Sequence, residues 1–183
     1  MPDRIEAGTF LIAGAILGGE ITVEEVIPEH LSAVTTALEK AGVTVDIKSR
    51  SISIRSNKSL QPVDITATEY PGFPTDLQPQ WCVLAALSSG TSTIKDTVFS
   101  SRFDHMDELK KMGAKFKRLS DGVQIQGGNP LSGAELYAKN LRHAAALVLS
   151  GYVAKGKTNI LRISELNRGY PDFFLKINNI LCG

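Results

Sequence analysis

The chain has 183 residues, 43% of them hydrophobic and 21% charged, which suits one globular domain or two small lobes. Its formal net charge of +1 gives no electrostatic basis for a nucleic-acid partner or an acidic membrane surface. No apolar run reaches the roughly 18–20 residues that span a bilayer, and MPDRIEAGTF at the start lacks a signal-peptide pattern, so a cytoplasmic location is expected.

In chain order, the first element is an apolar, small-residue-rich helix in FLIAGAILGGEITVEEV (residues 10–26), stopped at Gly19 and followed by a short β-branched strand. Glycine just past a helix takes the left-handed conformation at little cost. LSAVTTALEKAGVTVDIKSRSISIRS then predicts an amphipathic helix, a stop at Gly42 and a hairpin of alternating polar and apolar residues. The strand VDITATEY leads to a second apolar helix in WCVLAALSSGTSTIKDTV (81–98), with Gly90 as its stop. FDHMDELKKMGAKFKRLSDGVQIQGG repeats the amphipathic helix and hairpin, with Gly113 as the stop and Asp121-Gly122 as the hairpin turn. The strand GAELYA introduces a third apolar helix in AAALVLSGYVAKGKTNILRI (144–163), stopped at Gly156. RGYPDFFLKINNILCG follows it, without a hairpin.

The order therefore repeats three times, over about residues 1–58, 59–128 and 129–183. Gly42 and Gly113 lie 71 residues apart, as do Gly19 and Gly90. The first copy has no strand ahead of its helix, and the third has no final hairpin. A piece of a longer protein is expected, or a domain that another segment or chain completes. Uncovered strand edges invite pairing, so a homo-oligomer through those edges is expected as well. Apolar helices with almost no polar face belong in an interior, whereas alternating strands keep one wet face. The expected class is α/β (α+β), with helices inside and sheets outside around a pseudo-threefold axis.

ATEYPGFPTDLQPQWCVLAAL (67–87) sets one carboxylate, Asp76, just ahead of an apolar helix. Thr75 reads as a helix cap, with Gln78 at the capping-box position, and Pro79 must lie in the first turn. On that reading Asp76 only favours the positive helix end, by roughly 0.3–1 kcal/mol; the other reading is a working acid or base. Arg142, in the first turn of the third apolar helix, opposes the helix dipole and asks for an anion nearby. Arg4 has the same place in the first copy, but Asp3 and Glu6 flank it in a D-x-x-E cap, and a structural role is preferred. Arg102 (FSSRFD) and Arg168 (LNRGYP) lie in equivalent loops, where a solvated surface charge is the ordinary reading. Val98 reads as a strand end. Cys82 lies in an apolar helical run and is expected to be a buried thiol; with Cys182 it makes neither a disulfide framework nor a metal spacing. His30, His105 and His143 show no ligand spacing, and His105 is expected to cap or pack at the helix after Arg102.

PDRIEAGTFLIAGAI, FPTDLQ, TVFSSRFDHMDELKKMGAK, LRHAAALVLSGYVA and NRGY, in that order and spacing, resemble the UDP-N-acetylglucosamine 1-carboxyvinyltransferase family of enolpyruvyl transferases, which begins peptidoglycan precursor synthesis. The resemblance covers residues 2–180 and departs at INNILCG. It implies an inside-out α/β barrel domain of three repeats, one of two such domains, with the catalytic cysteine carried by the other, N-terminal domain. It implies that Asp76 faces and deprotonates the sugar hydroxyl that attacks phosphoenolpyruvate, for which an ionised carboxylate at a helix N-terminus is suited. It implies substrate-binding roles for Val98, through its backbone, and for Arg102, Arg142 and Arg168, with Arg168 gripping phosphoenolpyruvate. A guanidinium fork suits carboxylate and phosphate oxygens, and Gly169 would let the backbone approach the ligand. Neither a metal nor an organic cofactor is implied. Asn140 stands where the family has aspartate; asparagine caps a helix equally well but accepts no proton, which would impair the elimination step if that carboxylate takes part.

Two competing readings stand beside this one. A domain of the same fold that binds ligand weakly, or serves assembly, would account for Asn140 and for the absent strands and cysteine. A 5-enolpyruvylshikimate-3-phosphate synthase would share fold and chemistry but differ in its acceptor.

Overall fold

The computed structural model describes residues 2–182, with the side chain of Cys182 excepted, so the expectation for that thiol lies outside the described residues. Three helices, α1 (Arg4–Leu17), α3 (Gln78–Leu87) and α5 (Leu141–Val153), pack on one another at the centre. Their sequences explain the placement: α1 is buried all round from Ala7 to Leu17, and α3 from Gln78 to Ala86. No water-facing stripe is left on them, so each needs neighbours on every side.

Three separate sheets cover this core. The first joins β1 (Gly19–Glu24), β2 (Thr44–Ile47) and β3 (Ser51–Ser56) in the antiparallel order β1-β3-β2, with Ile52 and Ile54 turned inward. The second joins β4 (Ile65–Ala67), β5 (Thr91–Asp96), β6 (Lys115–Arg118) and β7 (Gly122–Gln126) in the order β4-β5-β7-β6, with β4 parallel to β5. The third is a parallel pair, β8 (Glu135–Tyr137) and β9 (Asn159–Leu161). Among the described residues β1 has no parallel neighbour and β9 no antiparallel one, and no ladder closes the three sheets into a barrel. Two amphipathic helices, α2 (Ser32–Lys40) and α4 (His105–Lys111), and the last helix, α6 (Phe173–Cys182), complete the layer around the core.

The helix stops follow glycine chemistry in part. After α2, the Gly42 and Val43 amides donate to the carbonyls of Glu39 and Leu38; after α4, those of Gly113 and Ala114 donate to Lys110 and Leu109. Both are Schellman motifs with the glycine left-handed, at φ 88° and 96°. The apolar helices end differently. α1 is stopped by Gly18, φ 81°, and Gly19 already opens β1. α3 ends on Ser88 in extended conformation, and Gly90 is not left-handed; a Cβ there would meet Pro62 at 2.8 Å. α5 ends on Ala154, two residues before the left-handed Gly156. The β6–β7 turn is centred on Ser120 and Asp121, one residue earlier than expected, because Gly122 belongs to β7. A Cβ on Gly122 would meet the Ile94 carbonyl oxygen at 2.1 Å, so glycine is needed there for close strand approach.

Cys82 is buried as expected, and burial pushes its thiol well above the ordinary range. No described helix is long and apolar enough to cross a membrane.

Candidate functional site

The start of α3, the start of α5 and the loop after β5 meet at one end of the core. Asp76 sits in a single 3-10 turn, Thr75–Leu77, that leads into α3. The expected capping box is not formed: the Thr75 hydroxyl donates to Asp96 at 2.6 Å, and the Gln78 amide reaches Cys82 Sγ at 3.2 Å. Pro79 does lie in the first turn. The Asp76 carboxylate instead accepts a charge-assisted hydrogen bond from Arg142 Nε and lies 3.7 Å from Arg102 Nη1.

Each arginine is held by its own element. Arg142 is the second residue of α5, whose cap is Asn140: the Asn140 side-chain oxygen accepts from the His143 amide at 3.0 Å. Arg102 stands in the loop after β5, its guanidinium 3.5 Å from the centroid of the Phe99 ring. The side chains of Asp76, Arg102 and Arg142 are 28%, 30% and 35% exposed, so their interactions are screened less than those of a surface pair. The hydrogen bond to Asp76 pushes the Arg142 guanidinium above its ordinary range. Two guanidinium groups facing one carboxylate leave a net positive charge, the electrostatics of an anion site.

A cavity of about 120 Å³ opens beside Asp76, bordered by Arg4, Tyr70, Thr75 and Val98. The Val98 amide donates to Asp96 at 2.9 Å. Arg4 reaches this cavity and stacks over the Tyr70 ring at 4.8 Å, while Asp3 caps α1 through the Ile5 and Glu6 amides and Glu6 pairs with Lys176. Asp3 therefore caps the helix alone, while Glu6 is turned to Lys176. A cavity of about 550 Å³ between α1, β1 and α6 is lined by none of the candidate residues.

Arg168 is not part of this cluster. Its side chain is 76% exposed and pairs with Glu165 at 3.2 Å. The residues after it are anchored: the buried Tyr170 hydroxyl lies 3.0 Å from Thr9 Oγ1, and Gln80 Nε2 lies 3.0 Å from the same oxygen. Gly169 serves packing, since a Cβ there would meet Leu141 Cδ2 at 2.6 Å. His105 opens α4 and packs, fully buried, against His143 with ring centroids 5.6 Å apart. Burial lowers the His105 imidazole to about 3 and lowers His143 as well.

Sequence reasoning missed Asp96, Thr75 as its partner, and Arg4 with Tyr70 at the cavity. Helical position signalled Arg4, where a cation at a helix start opposes the dipole as it does at Arg142. Nothing in KDTVF distinguishes Asp96 from a solvated strand-end carboxylate.

Residues 1–177 match the family profile described as EPSP synthase (3-phosphoshikimate 1-carboxyvinyltransferase). Relatives named UDP-N-acetylglucosamine 1-carboxyvinyltransferase include those of Acidobacterium capsulatum, 44% identical over 98% of this chain and 41% of the relative, and Campylobacter fetus subsp. fetus, 45% identical over 98% and 43%. The chain thus spans about two fifths of the length of these curated relatives. Among solved structures, the enolpyruvyl transferase NikO from Streptomyces tendae superposes with a TM-score of 0.88 at 28% identity, covering 98% of this chain and 43% of that one. EPSP synthase from Acinetobacter baumannii shares the fold at a TM-score of 0.76 and 21% identity, over 96% of this chain and 44% of that one. The chain belongs to the EPSP synthase (3-phosphoshikimate 1-carboxyvinyltransferase) family of enolpyruvyl transferases.

Proposed function

We propose that this chain is the C-terminal half of an enolpyruvyl transferase that moves the enolpyruvyl group of phosphoenolpyruvate to the 3'-hydroxyl of UDP-N-acetylglucosamine in the cytoplasm, the first committed step of peptidoglycan precursor synthesis. The observation that carries this reading is Asp76, a carboxylate at a helix start that lies between the Arg102 and Arg142 guanidinium groups and borders a small cavity. The names of relatives at 44–45% identity favour the nucleotide-sugar acceptor over shikimate 3-phosphate.

In the reaction the hydroxyl oxygen bonds to C2 of phosphoenolpyruvate and gives its proton to Asp76, while C3 takes up a proton from an acid outside this cluster. Loss of a C3 proton and departure of phosphate from C2 then restore the double bond. Arg102 and Arg142 offset negative charge on phosphate or carboxylate oxygens, which fixed guanidinium groups do without reorganising. Arg168, paired with Glu165 at the surface, is free to turn onto phosphoenolpyruvate when the cleft closes. The Val98 carbonyl serves the sugar, its amide being taken by Asp96.

The domain is read as three pseudo-threefold repeats, near residues 1–58, 59–128 and 129–183, in an inside-out arrangement; the β4-β5-β7-β6 sheet is the fullest copy. The partner that completes the cleft is a second, N-terminal domain carrying the catalytic cysteine, which the length of the relatives leaves room for. A second copy of this chain also pairs through exposed strand edges.

The test is phosphate release from phosphoenolpyruvate by this chain joined to the remaining part of the Acidobacterium capsulatum relative. Release with UDP-N-acetylglucosamine and not with shikimate 3-phosphate is expected. Release with shikimate 3-phosphate alone would transfer the reading to the other acceptor, and silence from the folded joined protein would favour a non-catalytic binding or assembly domain.

A further inference from the structure

Asp96, the last residue of β5, is 0% exposed, and no part of the proposed reaction uses it. Its two oxygens serve two different segments. Oδ2 accepts from the Thr75 hydroxyl at 2.6 Å, next to Asp76 in the turn that enters α3. Oδ1 accepts from the backbone amides of Val98 and Phe99 at 2.9 and 2.8 Å. The Phe99 ring carries the Arg102 guanidinium, and the Phe99 carbonyl accepts from the Arg102 amide at 3.0 Å. One buried carboxylate thus ties together the segments that present Asp76, Val98 and Arg102. Its donors are a hydroxyl and two backbone amides, all neutral, and a buried ionic acceptor held by neutral donors is sensitive to losing any one of them.

We infer that Asp96 is the positioning residue of the acceptor site: it sets the spacing between the Asp76 turn and the Val98–Arg102 loop, and so the place where the sugar hydroxyl meets the carboxylate. This rests on the reading of Asp76 given above. Asp96→Asn keeps the shape but removes the charge. Its oxygen can still face the Val98 and Phe99 amides while its amide donates to the Thr75 hydroxyl, so each bond to a charged acceptor becomes a weaker bond between neutral groups.

The test uses the whole chain, isotope-labelled for NMR. In Asp96→Asn the Val98 and Phe99 amides are expected to exchange about tenfold faster, the effect of exchanging a charged acceptor for a neutral one. The Nε signals of Arg102 and Arg142 are expected to move with them. Ser56→Ala, which removes a buried hydroxyl bonded to the Ala15 carbonyl remote from these segments, controls for general destabilisation and leaves those signals in place. Thr75→Val breaks only the Oδ2 arm and is expected to move Arg142 Nε, with Thr75→Ser restoring it; this pair decides the matter if Asp96→Asn does not fold. Wild-type amide protection and arginine signals in a folded Asp96→Asn, or an unmoved Arg142 signal in Thr75→Val, would overturn the inference. UDP-N-acetylglucosamine is then titrated into each variant joined to the remaining part of the Acidobacterium capsulatum relative. Weakened binding in Asp96→Asn and Thr75→Val, but not in Thr75→Ser, is expected. A wild-type joined protein that ignores the nucleotide-sugar sinks the functional reading, while the tie itself is still judged by the unliganded signals.

Discussion

At the scale of the residue, the candidate site is one carboxylate between two guanidinium cations. Asp76 was legible as a carboxylate at a helix start, and Arg142 as a cation that needed an anion; the structure joins the two expectations, because Asp76 is that anion. What sequence could not show is the hydroxyl of Thr75 leaving its capping position for a carboxylate 21 residues further on. Capping residues are chosen by local hydrogen bonding, and a fully buried Asp96 offers Thr75 a stronger, charged acceptor. The buried imidazoles yield a prediction at this scale. His105, lowered to about 3 by burial with His143 beside it, stays neutral in the folded protein, whereas the unfolded chain binds its proton near the ordinary value of about 6.5. The unfolded state therefore holds more protons between these values, and stability falls as pH drops from about 6.5 toward 3. The carboxylate of Asp104, itself held low by Lys139, and the guanidinium of Arg118 act on His105 with opposite signs. In urea titrations across that range, His105→Leu is expected to flatten the acid limb by up to one proton; an unchanged slope would contradict the assignment.

At the scale of the element, apolarity was the strongest signal. FLIAGAIL, WCVLAAL and AAALVLS were legible as interior helices because helices with no polar face have nowhere else to go, and α1, α3 and α5 occupy the centre. Gly42 and Gly113 were legible for the same kind of reason, a left-handed residue with one cheap solution. Gly90 and Gly122 were misread because a glycine can also be required by a neighbour's closeness, here Pro62 and the Ile94 carbonyl, which no local pattern reports. Strand edges follow from the sheet orders: β1 ends the first sheet and β6 the second. Antiparallel pairing of β1 with a second β1 about Thr22 would set Glu20 opposite Glu24, a like-charge contact that is unfavourable. The β6 edge, with Lys115, Lys117 and Arg118, complements the acidic β1 edge of another copy instead. Association in sedimentation experiments is thus expected to weaken as salt is raised, through screening of this charge pairing. A monomer at high concentration and low salt would remove the proposed self-pairing, and salt-insensitive association would remove this choice of edges.

At the scale of the whole molecule, three sheets wrap three helices, and the candidate residues Asp76, Arg102 and Arg142 gather where the starts of α3 and α5 face the loop after β5. Family resemblance carried the list of site residues further than composition or periodicity could. Asp76, Arg102 and Arg142 come together, whereas Arg168 stands apart at the surface. That separation fits the proposed cleft, with its other wall in the part of the relatives that this chain does not span. The most direct measurement of the central claim is therefore the turnover of Asp76→Asn against wild type, each joined to that other part, with phosphoenolpyruvate and UDP-N-acetylglucosamine. Asparagine keeps the shape of Asp76 but takes no proton, so kcat is expected to fall by about 10²–10⁴-fold, the usual contribution of a positioned general base. Turnover within about twofold of wild type, far below that contribution, would show that Asp76 is not the acceptor of the hydroxyl proton and would contradict the account.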